Sequence, residues 1–265
     1  MTHSPIHIAM NDKLSPDVRE AVSKLVRPAI RLKHAEDGDT VVGQLGGGAL
    51  LPDDFTWPRN DYGPYYHLGS FDLSLLPETD LRLPRSGRLV FFGDPEGTDG
   101  SVHYLGPDVE LAETPPPGDF VSWGPHPHRS PVAAGLVDTL KLGYDFAAGD
   151  LAGPFERDED AVDDELQDLA DATGTIAPQS HRIGGYADEI QGGRDMGALP
   201  DDEGAASALS RPPAEDDGYV LLAQFDSDAD AGFGWGDMGI FYFFIGFDDL
   251  RARRFEKAEG YWECF

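Results

Sequence analysis

Two separated stretches of the chain share one layout. His67-Leu68-Gly69-Ser70-Phe71-Asp72-Leu73 is followed by Gly87-Arg88-Leu89-Val90-Phe91-Phe92-Gly93, and Leu221-Leu222-Ala223-Gln224-Phe225-Asp226-Ser227-Asp228 by Gly239-Ile240-Phe241-Tyr242-Phe243-Phe244-Ile245. In each, an apolar run ending in Phe-Asp is separated by an insert from a glycine that opens an aromatic run. Short apolar runs rich in aromatic and branched residues and bounded by glycine read as strands. The layout therefore predicts a pair of equivalent β units. Tyr219 to Phe225 and Ile240 to Phe247 are almost continuously hydrophobic, which predicts central strands buried on both faces.

The 32 glycines and 21 prolines among 265 residues require many turns and short elements, which favours β-rich organisation over a helical bundle. A chain of this length can bury a large core, as one domain or as two closely packed halves. The expected fold class is α+β: β-rich, with internally duplicated antiparallel sheets and a few short covering helices. The expected division is an N-terminal helical segment, 1–27, and a single domain, 28–265. Its related halves, 28–147 and 174–265, are joined by an acidic segment.

Ser15-Pro16 marks a helix start, with Ser15 as N-cap and Pro16 at the first helical position. Val18, Ala21, Val22, Leu25 and Val26 then share one face, until Pro28 ends the pattern. Ile30 to Lys33 is expected to pair with Thr40 to Leu45 across a turn at Asp37-Gly38. Gly46-Gly47-Gly48 lacks the spacing and the Lys-Ser or Lys-Thr of a phosphate loop. It reads as a demanding turn, with Trp57 anchoring the coil that follows. Arg88 to Phe92 and Val102 to Leu105 are predicted strands. Within the acidic stretch, Val162, Leu166 and Leu169 have helical spacing, and 192–214 reads as a long irregular loop, one wall of a site. Asp248-Asp249-Leu250 opens a short turn or helix before a last strand, Arg254 to Ala258.

With 20 basic against 49 acidic residues the formal charge is −29, which argues against nonspecific binding to nucleic acid or to an anionic membrane. A basic protein partner is compatible with that charge, and so is a surface that is merely well solvated. Cys264 is the sole cysteine, so neither an intrachain disulfide nor a multi-cysteine metal site can form. The first residues lack a basic region followed by a long apolar core, and no segment reaches membrane-spanning length, so the expected location is the cytoplasm.

The strongest ligand-like spacing is Asp226-x-Asp228-x-Asp230 with Asp237 at the twelfth position. Alternating carboxylates can converge on a hard cation, calcium being the candidate. Against that, Ala231 stands at the sixth position, where the helix-loop-helix calcium site has glycine, and the flanks read as strands. In the competing reading Asp226 and Asp237 accept backbone N–H groups, Asp228 and Asp230 face water, and Trp235 covers a sheet edge. His126 and His128 alternate as two zinc ligands would, but need a third. No G-x-S-x-G elbow supports a serine nucleophile. His181, Arg182 and Tyr186 precede the 192–214 loop. They form either a polar ligand pocket or a corner locked by hydrogen bonds.

Taken in order, Gly46 to Pro52 with Trp57-Pro58, His67 to Leu73, Gly87 to Phe92, His181-Arg182-Ile183-Gly184-Gly185-Tyr186, Leu221 to Asp228 and Trp235 to Ile245 resemble the YwqG-like family of bacterial proteins, over roughly residues 28 to 262. The resemblance implies a β-rich α+β fold with related halves and no established reaction. The association of some relatives with bacterial conflict or immunity systems implies protein binding. Ser70 stands where the second half has Gln224, so the halves are not chemically equivalent if that glutamine closes a polar network. The resulting expectation is a non-catalytic protein-binding module without a cofactor, presenting loops 192–214 and 226–239. The competing expectation is a site for a small polar ligand or cation at His181, Arg182, Tyr186 and Gln224, with Asp226, Asp228, Asp230 and Asp237 as the metal set. A hydrolase comes third.

Overall fold

The computed structural model describes residues 5–96, 99–119, 127–140, 159–173, 180–188, 190 and 218–265. Two helices open the chain, α1 (Pro5–Lys13) and α2 (Pro16–Ser23). Strands β1 (Arg27–His34), β2 (Val41–Leu45), β3 (Ala49–Leu51), β4 (Arg59–Asn60), β5 (Gly63–Pro64), β6 (Tyr66–Asp72), β7 (Arg88–Gly93), β8 (Gly100–Leu105), β9 (Ala112–Thr114) and β10 (Ser130–Thr139) follow. After helix α3 (Glu159–Thr173) come β11 (Arg182–Gly184), β12 (Tyr219–Asp226), β13 (Ile240–Gly246), the short helix α4 (Phe247–Arg251) and β14 (Glu259–Glu263).

Ten strands form one antiparallel sheet in the order β14-β13-β12-β11-β1-β10-β2-β6-β7-β8. The sheet curls until its outer strands approach: a Cβ built on Gly260 would lie 2.9 Å from the Gly100 Cα and 2.8 Å from the Phe243 ring. Glycine on both edges permits this near closure, because any side chain would push the edges apart. Gly260→Ala is therefore expected to cost about 1–3 kcal/mol through overpacking. Gly135→Ala, whose Cβ would meet nothing within 4 Å, should leave the urea midpoint almost unchanged.

Alternation along the strands explains why their sequences are continuously apolar. Leu89 and Phe91 of β7 and Phe241 and Phe243 of β13 point into the curled sheet, with Phe71 and Phe225. Val90 and Phe92 point outward beneath Tyr65, Trp57 and β3, and Tyr242 and Phe244 lie outward with Leu221 and Tyr261. Both faces are dry, so neither can be polar. The two aromatic pairs share one register: Phe71 faces Leu89 and Phe225 faces Phe241, with an irregularity between His67 and Gly69 in one and between Leu221 and Ala223 in the other.

A separate layer joins Ile6, Met10, Leu14, Val18 and Val22 of the N-terminal segment to Val162, Leu166 and Leu169 of α3. The predicted start at Ser15-Pro16 is present, but Ser15 does not cap in the usual way. Its N–H and hydroxyl both donate to Glu165, at 2.8 Å each, tying α2 to the acidic helix.

Three local expectations are corrected. β1 and β2 do not pair with each other: β10, a strand no local pattern marks, lies between them and pairs with both. The last strand is Glu259–Glu263, and the predicted 254–258 segment contains a 3-10 turn at Phe255–Lys257 whose Phe255 is buried. Trp235 does not cover an edge but sits in the main core, stacked on Phe233 with ring centroids 5.7 Å apart. The triple-glycine turn is a structural corner. Gly46 and Gly47 have φ of 55° and 69°, and Gln44 Nε2 donates to the carbonyls of Gly46 and Gly48. The 192–214 loop and His126 lie outside the described residues.

Candidate functional site

Antiparallel pairing of β1 with β11, and of β11 with β12, brings the end of β1, the start of β11 and the end of β12 to the same end of the sheet. There His34, Ser180 and His181, and Asp226 with the connection that follows it, line an open cleft of ≈ 400 Å³. Arg31 and Lys33 line it too. The connection is not a flexible hairpin. Asp228 and Phe233 exchange backbone hydrogen bonds, Ser227 N–H donates to the Gly239 carbonyl, and the His128 N–H donates to the Ala231 carbonyl.

Asp228 is the organising group. Its Oδ2 accepts from His34 Nε2 at 2.7 Å and from His181 Nε2 at 2.9 Å, and its Oδ1 accepts from the N–H groups of Asp230 and Ala231. Burial works to raise its pKa, but the His181 hydrogen bond, the Ala231 N–H and the His34 hydrogen bond outweigh that and hold the carboxyl well below the usual carboxylate range. It stays ionised and fixed in orientation. His181 is fixed as well. Its Nδ1 accepts the Asp226 N–H at 3.1 Å, so the proton sits on Nε2 and is donated to Asp228.

Asp226 is the opposite case. It is 8% exposed, and its Oδ1 is buried with no hydrogen-bond partner among the described residues. Burial pushes its pKa up to about 6, a rise tempered by His181 and the Ser227 N–H and reinforced by the charges of Asp188 and Asp228. Two carboxylates two residues apart are thus driven in opposite directions, one by hydrogen bonds and the other by desolvation.

The remaining expected site residues separate from this cleft. Arg182, next to His181 in sequence, is 2% exposed and donates from both Nη atoms to Asp188, at 2.7 and 2.6 Å. Gln224, opposite Arg182 in the β11–β12 register, donates to Asp188 and to the Ser180 carbonyl and accepts the Asp188 N–H. Tyr186 donates its hydroxyl to the Leu25 carbonyl. Of the expected ligand pocket, only His181 lines the cleft; Arg182, Tyr186 and Gln224 form the hydrogen-bonded corner.

Nor do Asp226, Asp228, Asp230 and Asp237 gather as a set. Among the described residues, the group with metal-ligand spacing is His34, Asp228 and Asp230, whose donor atoms all lie within 4.8 Å of one another. Asp237 is exposed. The expectation that Asp228 faces water is corrected as well: it accepts two backbone N–H bonds and is half-buried, while Asp226 does take a backbone hydrogen bond, from Ser227. His128 is exposed and docks through its backbone.

His34 had no signal in the sequence. It follows a predicted strand and becomes a site residue only once β12 is known to end beside β1.

Fold and site together define a strand-rich protein with a large, nearly closed antiparallel sheet and a polar cleft at one end of its central strands. The chain belongs to the family described as Domain of unknown function (DUF1963), which it matches over residues 43–264. That span takes in the cleft residues of β11, β12 and the connection, whereas His34 precedes it. No curated protein matches the chain. Among the described residues no helix is long and apolar enough to cross a membrane.

Proposed function

We propose that this protein is a non-catalytic binding protein whose cleft takes a small cation, organic or metallic, at Asp226 and Asp228. The observation that carries this reading is Asp226, a cleft-lining residue whose buried Oδ1 has no hydrogen-bond partner among the described residues. A buried polar atom left unsatisfied costs of order 1–3 kcal/mol, and more when charged, so it marks a place where a ligand supplies the missing interaction. Asp228, held ionised beside it, adds a second negative charge. Binding is favoured over nucleophilic attack by Ser227, whose hydroxyl is already engaged: its Oγ donates to the Gly239 carbonyl and accepts the Trp235 N–H.

A thermal-shift series with methylammonium, longer mono- and diamines, Ca²⁺, Mg²⁺ and Zn²⁺ tests the proposal. A ligand at a hundred times its Kd stabilises the fold by about 2.7 kcal/mol. At least one of these cations should therefore raise the Tm, and Asp226→Asn should weaken that response. An unchanged Tm throughout, or a response insensitive to Asp226→Asn, rejects it.

The YwqG-like resemblance and a duplication origin for the two halves belong with this proposal. What supports duplication is the symmetric strand order about β1 and β10, together with the shared register and irregularity of the β6–β7 and β12–β13 pairs. The protein-binding role expected from the sequence gains no specific support among the described residues, since the 226–239 connection is folded onto the core.

A further inference from the structure

Resting on the cation-cleft reading and deepening it, we propose that the cation is a borderline divalent transition-metal ion such as Zn²⁺, held by His34 Nε2 and the carboxylates of Asp228 and Asp230. The three donor atoms already lie within 4.8 Å of one another. Zinc–nitrogen and zinc–oxygen bonds are about 2.0–2.2 Å, so rotation of the exposed Asp230 and the half-exposed His34 closes the remaining gap. Three protein ligands leave a fourth position for water.

The surroundings match what such a site requires. A ligating carboxylate is usually oriented by hydrogen bonds from groups that do not touch the metal. Here Asp228 receives two backbone N–H bonds on Oδ1 and the His181 Nε2–H on Oδ2, while His181 is itself locked by the Asp226 N–H. The second, independent indication is Asp226, more than nine-tenths buried and lining the same cleft, its Oδ1 without a hydrogen-bond partner among the described residues. It supplies negative potential beside the ion.

The donor set also selects among cations. Calcium takes six to eight oxygens, whereas this site offers two carboxylates and an imidazole, a combination that suits zinc, cobalt or nickel. In the metal-bound form His34 Nε2 gives up its hydrogen bond to Asp228 and turns a lone pair to the ion, with the proton of the neutral ring on Nδ1.

Full-length protein stripped with chelator and titrated calorimetrically with Zn²⁺, Co²⁺ and Ca²⁺ tests this. One Zn²⁺ or Co²⁺ should bind per chain. His34→Ala, at a half-exposed position that should not disturb folding, should weaken the affinity by at least about tenfold. Calcium binding as tight as zinc, or zinc affinity unchanged in His34→Ala, overturns the metal assignment. If no metal binds while methylammonium or a diamine does, in a manner abolished by Asp226→Asn, the metal assignment falls and the cation cleft stands. If neither class binds, both fall.

Discussion

Arg182→Met should destabilise the protein by about 3–5 kcal/mol, the usual cost of removing one partner from a buried ion pair, and should leave cation affinity unchanged in the molecules that remain folded. Arg182 clamps Asp188 with two hydrogen bonds and reaches the Tyr186 carbonyl as well. The same aspartate holds Gln224 through its side chain and its N–H, and its carbonyl accepts the Tyr242 hydroxyl at 2.6 Å. Methionine fills much of the volume but leaves the part-buried Asp188 charge without its cation, with the Gln224 amide still donating to it. The double variant Arg182→Met with Asp188→Asn should recover part of the loss, because the uncompensated charge is gone while an amide remains for Gln224. Urea midpoints of the two single variants and the double variant decide the matter. The losses must be non-additive, since the residues share one network. A variant that keeps wild-type stability but loses cation affinity would return Arg182 to the ligand site.

Strand positions that are apolar on both faces were readable because burial on both faces demands an uninterrupted hydrophobic run, as in Leu89 to Phe92 and Ile240 to Ile245. The acidic helix was readable for a related reason: Val162, Leu166 and Leu169 repeat at helical spacing and are buried. The strand β10 was not. It carries Pro131, Gly135, Asp138 and an exposed Leu136, and its identity comes from long-range pairing with β1, Arg27 opposite Thr139 and His34 opposite Val132, which no local pattern encodes. Missing it forced β1 onto β2, the nearest strand in sequence.

The site was half legible for the same reason. Asp228 and His181 stood out by motif and spacing. Deciding which of His181 and Arg182 enters the cleft required the strand geometry, since adjacent strand residues point to opposite faces. His34 required the topology. The alternating aspartates invited a single-cation reading because spacing alone cannot show that Asp228 turns to the backbone and the histidines, that Asp226 is buried, and that Asp237 lies in solvent.

Stability of the chelator-treated protein should carry an Asp226 contribution that declines as pH rises from about 4 to 7, and Asp226→Asn should remove that dependence. The folded-state pKa is raised, from 3.8 to about 6, so the native state binds the proton more tightly than the unfolded chain. Stability from this group is fully present below pH 3.8 and is lost as pH rises through about 6. A rise of this size corresponds to about 3 kcal/mol. The contribution of Asp228 has the opposite sign: its pKa is lowered by its hydrogen bonds, so its stabilisation is complete above 3.8 and lost only as pH falls further, outside the window that Asp226 controls. Asparagine carries its own fixed cost at a buried position, so the informative quantity is the change with pH. The unfolding free energy of the variant relative to wild type should rise in favour of the variant by up to about 3 kcal/mol between pH 4 and pH 7. A difference that stays constant across that window means Asp226 is not the desolvated carboxyl that the cleft geometry makes it.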